Sequence, residues 1–207
     1  MENADARLGF WAAAAAFVAA VGYLVVQILQ VAGALTEPLA SILIYAFSFC
    51  IAPPFLVAMA ALHALTPPGR RLGAQIGLMF ATMYATYVVL VYAVQLVTVV
   101  PAGVAAERVL VMRPQSMFWV LDGLGYVSMG AATLFAAYAL PIEGLGRWAR
   151  RLMLANGAVT PLITFAYLYP HFSTWVLFVG SPWAVTAPGS LLALAIWFRG
   201  YDRSPPR

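Results

Sequence analysis

Charge is what this chain has least of. Only 9% of its residues are Asp, Glu, Lys or Arg, against about 25% in a soluble globular domain. Lysine is absent, so all eleven basic residues are arginine, and histidine occurs only at His63 and His171. The single cysteine, Cys50, excludes an internal disulfide. It lies in an apolar run and reads as a small packing residue. Signatures of soluble chemistry are missing too. The sequence has no phosphate loop, no Gly-x-Ser-x-Gly and no His-Glu-x-x-His. Neither histidine has a second histidine or a cysteine at ligand spacing, so no metal, haem or other cofactor is expected. The chain is not read as an enzyme, and no catalytic residue is assigned.

What is present is apolar surface. Hydrophobic residues make up 64% of the 207. A soluble fold of this length has too large a surface for its volume to hide so much. Hydrocarbon removes the difficulty, because apolar side chains can then face lipid. The net charge of +4 would suggest nucleic acid in a soluble protein. Here the arginines stand in short loops between apolar runs, which points to membrane orientation and to no nucleic acid.

A helix crosses the hydrocarbon layer with about 20 apolar residues. Six stretches qualify, at about 8–32, 39–64, 73–99, 116–140, 152–169 and 176–198. The expectation is a single all-α domain, a polytopic six-helix transmembrane bundle over residues 1–207. The runs are continuous, not alternating, which excludes a β-barrel. Turn residues mark the gaps: Glu37-Pro38, Thr66 to Arg71, the stretch between Pro101 and Pro114, Gly144 to Arg147, and Tyr169-Pro170-His171. The first run is too long for a cleavable signal and reads as a retained anchor.

With six spans, Arg7, Arg70, Arg71, Arg147, Arg150, Arg151, Arg199, Arg203 and Arg207 fall on one side, and only Arg108 and Arg113 on the other. That asymmetry predicts both termini in the cytoplasm. The absence of lysine and the alanine runs look like a GC-rich bacterial genome, so the expected location is a bacterial cytoplasmic (inner) membrane. Trp11, Trp148, Trp197 and Tyr201 then fall at the cytoplasmic interface, and Trp119, Tyr167, Tyr169, Trp175 and Trp183 near the outer one. Residues 104–112 fit a short helix on the outer surface, with Glu107 and Arg108 towards water, or a lid over the bundle. Arg70-Arg71-Leu72 and Arg150-Arg151-Leu152 open two spans alike, as one charge rule at two inside loops would produce.

Small residues four apart stripe three spans: Gly73, Gly77, Ala81 and Ala85; Ala12, Ala16 and Ala20; Ser128, Ala132 and Ala136. They suit close helix packing inside the bundle, or a docking face for a partner subunit. Pro53-Pro54, Pro161 and Pro188 lie within spans. They produce ordinary kinks, or a broken helix at a transport site.

Asp122 is the one acid well inside a proposed span, about six residues or ~9 Å from its outer end. Ionisable groups at such depth are costly and call for an explanation. Trp119 and Tyr126 share its helix face. Tyr23 and Gln27 in the first span, and Tyr87 and Gln95 in the third, lie at similar depth, with Gln30 and Tyr84 nearby. Together they would line an outward-facing cleft for a cationic or hydrogen-bonding small ligand. The other reading places Asp122 at the start of the fourth helix as an interfacial N-cap.

The phrases Leu121-Asp122-Gly123-Leu124-Gly125-Tyr126, Ala132-Thr133-Leu134-Phe135-Ala136-Ala137 and Arg147 through Gly157 resemble a group of small six-span bacterial integral membrane proteins without an assigned activity. The resemblance implies class and location, and no catalytic motif. Size, span number and the alanines of the first helix are also similar to the substrate-binding subunits of energy-coupling-factor vitamin transporters, although their substrate residues do not map onto this chain. Two functions therefore compete. One is small-ligand binding or transport through the outer polar cleft. The other is an accessory or scaffold subunit that meets membrane-protein partners through its helix faces.

Overall fold

The computed structural model describes residues 2–171 and 173–202, and among these it is all helix and turn, with no strand. The long helices are α1 (Glu2–Val31), α2 (Leu39–Leu65), α3 (Arg71–Val94), α5 (Met117–Ala136), α6 (Gly144–Leu168) and α8 (Trp183–Asp202). Two short ones, α4 (Val100–Ala102) and α7 (Thr174–Val179), lie between them. Four helical stretches are long and apolar enough to cross a membrane: Ala4–Val31, Leu39–Leu65, Pro68–Ala102 and Met117–Ala139. The expectation of six is met in four. Helices α6 and α8 have the length, but the first carries Asn156, Thr160, Pro161 and Thr164, and the second Pro188, Ser190 and Arg199.

Local chemistry sets the ends. Helix α1 closes at Gly33, whose φ of 72° suits glycine. Its N–H donates to the Gln30 carbonyl and that of Ala34 to Leu29, the paired bonds of a Schellman stop. Helix α2 ends before Pro67-Pro68. It runs unbroken through Pro53 and Pro54, so the broken-helix reading of that pair is corrected. Ser116 caps α5, its hydroxyl accepting from the Trp119 N–H.

The long helices form a closed ring in chain order: α1 packs on α2, α2 on α3, α3 on α5, α5 on α6, α6 on α8, and α8 back on α1. Neighbours run antiparallel. On α3 and α5, Gly73 meets Phe135 near one end while Tyr92 meets Asp122 near the other. Gly9 meets Phe198 and Tyr23 meets Trp183 across α1 and α8. The helix starts and junctions carrying Arg7, Arg70, Arg71, Arg147, Arg150, Arg151 and Arg199 therefore gather at one end of the ring. Arg203 and Arg207 lie outside the described residues.

The small-residue stripes pack inside the ring. A Cβ on Gly77 would stand 2.7 Å from the Ala136 Cβ and 2.9 Å from the Ala132 carbonyl oxygen, so glycine lets α3 and α5 approach closely. Ala16, Ala20, Ala81, Ala132 and Ala136 are fully buried. The largest buried side chains, including Phe55, Met59, Met129, Met153 and Phe198, fill the space between helices.

Three further expectations are corrected. Residues 104–112 form no surface helix: they turn over the bundle, with Leu110 and Met112 packed on the core. The last expected span, 176–198, is two helices broken at Gly180-Ser181-Pro182. Trp183 and Trp197 are buried among helices, whereas Trp11, Trp148 and Trp175 are exposed.

Candidate functional site

Asp122 is the sixth residue of α5, well past the Ser116 cap, so the N-cap reading is corrected. It is 3% exposed. Each carboxylate oxygen has one donor: the Tyr92 hydroxyl reaches Oδ1 at 2.7 Å from α3, and the Tyr167 hydroxyl reaches Oδ2 at 2.5 Å from α6. Among the described residues, the side chains that act on it are Tyr167 and Tyr92, with no arginine or histidine. Hydrogen bonds to a charged group are worth about 1.5–3 kcal/mol each, but an unpaired carboxylate away from water loses far more hydration than that.

The glycines beside Asp122 explain how its partners reach it. A Cβ on Gly123 would lie 2.7 Å from the Tyr167 ring, and one on Gly125 would lie 3.1 Å from Val88. Without those side chains, α6 and α3 close on α5 from two sides. The sequence alone gives these glycines no role and places Tyr167 near the outer interface. The structure turns the Tyr167 hydroxyl inward.

Beside the carboxylate is a small void. Tyr23 of α1, Ser48 and Ile51 of α2, and Tyr84, Val88 and Tyr92 of α3 line it, with Asp122, Tyr126 and Trp183 completing the wall. The centre of a water-sized sphere has about 10 Å³ in which to move, which is room for about one water. The Tyr126 and Tyr23 hydroxyls are 3.4 Å apart. The Trp183 ring stands edge-on to both, with centroids 5.0 Å from Tyr126 and 5.9 Å from Tyr23. Its Nε1 is buried and has no hydrogen-bond partner among the described residues. An unpaired buried donor at a one-water void fits an oxygen there that accepts from it.

Of the residues singled out in the sequence, Asp122, Tyr23 and Tyr126 meet at this void. Trp119 stacks on Tyr167, with centroids 4.6 Å apart, and donates to the Tyr167 carbonyl at 3.2 Å, so it positions a partner of Asp122. Gln27 stands one turn beyond Tyr23 on α1 and does not line the void. Tyr87 does not line the void, where Tyr84 and Tyr92 stand for α3. Gln95 belongs elsewhere: fully buried at a π-helical turn, Gln95–Val99, it donates to the Leu110 carbonyl at 2.7 Å and accepts from the Met112 N–H at 3.2 Å. It holds the 103–116 connection.

A second polar group was missed. Asn156 of α6 donates to the Thr133 hydroxyl of α5 at 3.1 Å and accepts from the Thr186 hydroxyl of α8 at 3.1 Å. One asparagine in an apolar helix was the available signal. With one bond donated and one accepted, this cluster ties three helices together. His63 and His171 lie at opposite ends of the ring, and no group of three His, Cys, Asp or Glu side chains gathers among the described residues.

Fold and site together define an all-helical protein with four helical stretches long and apolar enough to cross a membrane, and a buried carboxylate among its helices. No protein-family model, curated protein or solved structure matches the chain.

Proposed function

We propose that this is a six-span membrane protein that binds, and through its ring carries, a small cation of the ammonium type at Asp122. The observation behind this reading is a carboxylate buried among apolar helices with two tyrosine donors and no cation beside it. An acid at membrane depth is retained for function more readily than for stability. A carboxylate beside aromatic rings is the chemistry that recognises alkylammonium groups. The void has room for about one water, so an ion of about water's size fits with little rearrangement, and anything larger requires the helices to part.

The ring supports a reading of six crossings, because α6 and α8 complete the wall between α5 and α1. At 25 and 20 residues they span the hydrocarbon at ~1.5 Å per residue. Their polar groups face partners in the bundle: Asn156 with Thr133 and Thr186. Arginines at one end favour that end, and both termini, on the cytoplasmic side. Asp122 then lies in the outer half. The scaffold reading loses its main motivation, since the small-residue stripes are covered within the ring. An enzymatic role has no support from a site whose carboxylate is held by tyrosines alone.

The test is ammonium binding and uptake by protein reconstituted in vesicles. Wild type is expected to bind and accumulate it, and Asp122→Asn, folded by circular dichroism, to do neither. Equal binding by the two proteins would remove the proposal.

A further inference from the structure

The arginine end carries a second feature, independent of the Asp122 site. Arg70 and Arg71 start α3, and Arg147, Arg150 and Arg151 stand in the first two turns of α6. The antiparallel ring places the turn after α5, residues 137–143, between them. Arg70 donates through Nη1 to the Leu140 carbonyl of that turn at 3.4 Å, and the Arg150 guanidinium lies 5.2 Å from the Tyr138 ring centre. Arg151 lies 5.6 Å from the Trp148 ring centre. Arg70, Arg150 and Arg151 are held by neutral groups, and among the described residues no ion pair engages any of the five. Glu143 is the only acid in the two junctions, 66–71 and 137–151. The N-terminus of α6 adds its own positive end.

The surface around them is apolar. Leu72, Tyr138, Ile142 and Trp148 are largely exposed beside the five arginines. A free anion in water answers the guanidiniums and leaves those side chains uncovered. A phospholipid answers both, with its phosphate on the arginines and its glycerol and acyl chains on the apolar rim.

We infer that the junction of α3, α5 and α6 is a docking surface for an anionic phospholipid headgroup. The paired planar donors of arginine suit its phosphate oxygens. The lipid bound here covers the only described end of the ring with unpaired cations on adjacent helices.

The experiment adds phosphatidylglycerol, phosphatidylcholine or inorganic phosphate to full-length protein in mild detergent and follows thermal stability. Phosphatidylglycerol is expected to stabilise the wild type, and the other two to have little effect. Arg71→Gln/Arg147→Gln, both exposed and outside the fold's hydrogen bonds, should raise the half-saturating lipid concentration about tenfold or more. Arg108→Gln/Arg113→Gln at the opposite end should leave it unchanged. An unaltered response in the Arg71/Arg147 variant, or equal loss in both variants, overturns the inference. Stabilisation by inorganic phosphate equal to that by lipid also overturns it, by showing a free-anion site.

Discussion

Asp122 was legible as an anomaly from the sequence, because an acid amid apolar residues has no cheap explanation in lipid. Its environment was only half legible. Tyr23 and Tyr126 could be placed near it by depth and by the i, i+4 rule. Tyr92, Tyr167 and Trp183 could not, since their approach depends on how neighbouring helices rotate. Glycine at 123 and 125 permits that rotation, and a glycine announces only space, not what fills it. Gln95 misled for the opposite reason: depth alone placed it with the cleft, while the π-helical turn aims it at the 103–116 connection. If the two hydroxyls serve the carboxylate, Tyr92→Phe and Tyr167→Phe should each lower unfolding free energy by about 1.5–3 kcal/mol. In an Asp122→Asn background the same changes should cost markedly less, because the shared partner has lost its charge. A double-mutant cycle in detergent measures this, and equal costs in both backgrounds would separate the tyrosines from the carboxylate.

At the scale of the helix, existence was easier to read than extent. Long apolar runs specify α1, α2 and α3; Gly33 ends the first, Pro67-Pro68 the second, and the third continues through the π-helical turn and α4 to Gly103. The last span was misread because Gly180-Ser181-Pro182 is a break of only three residues between apolar stretches. The 104–112 stretch was misread because apolar content suggested a helix, whereas Gln95 anchors those residues as turns. The stripe on α3 was readable as a contact face, and the structure identifies the contact as α5. Gly77→Val should therefore be destabilising by about 1–3 kcal/mol, since Ala132 is met at its backbone carbonyl, which cannot yield as a side-chain tip can. Gly69→Ala, with nothing within 4 Å of the added Cβ, should be close to neutral. Thermal unfolding of the two variants checks the contrast, and similar midpoints would contradict the packing of α3 on α5.

For the whole molecule, closure of the ring is the property that matters, and it is the least legible in sequence. Charge alternation orients the helices, but neighbour relations come from side-chain fit between segments distant in the chain. Closure brings α8 beside α1 and so places Trp183 against Tyr23. It also places α6 beside α5 and so delivers Tyr167 to Asp122. If α6 or α8 lay on the membrane instead of through it, the site would lose one wall and the carboxylate would meet water. The most direct measurement is labelling of single cysteines with an impermeant reagent in intact cells. The cysteines would be placed at Ala34, Gly69, Val109, Glu143 and Ser173 in a chain with Cys50 replaced by alanine. Six crossings predict labelling at Ala34, Val109 and Ser173, and protection at Gly69 and Glu143 until the membrane is opened. Glu143 and Ser173 labelled alike would mean that α6 does not cross, and the enclosed carboxylate would go with it.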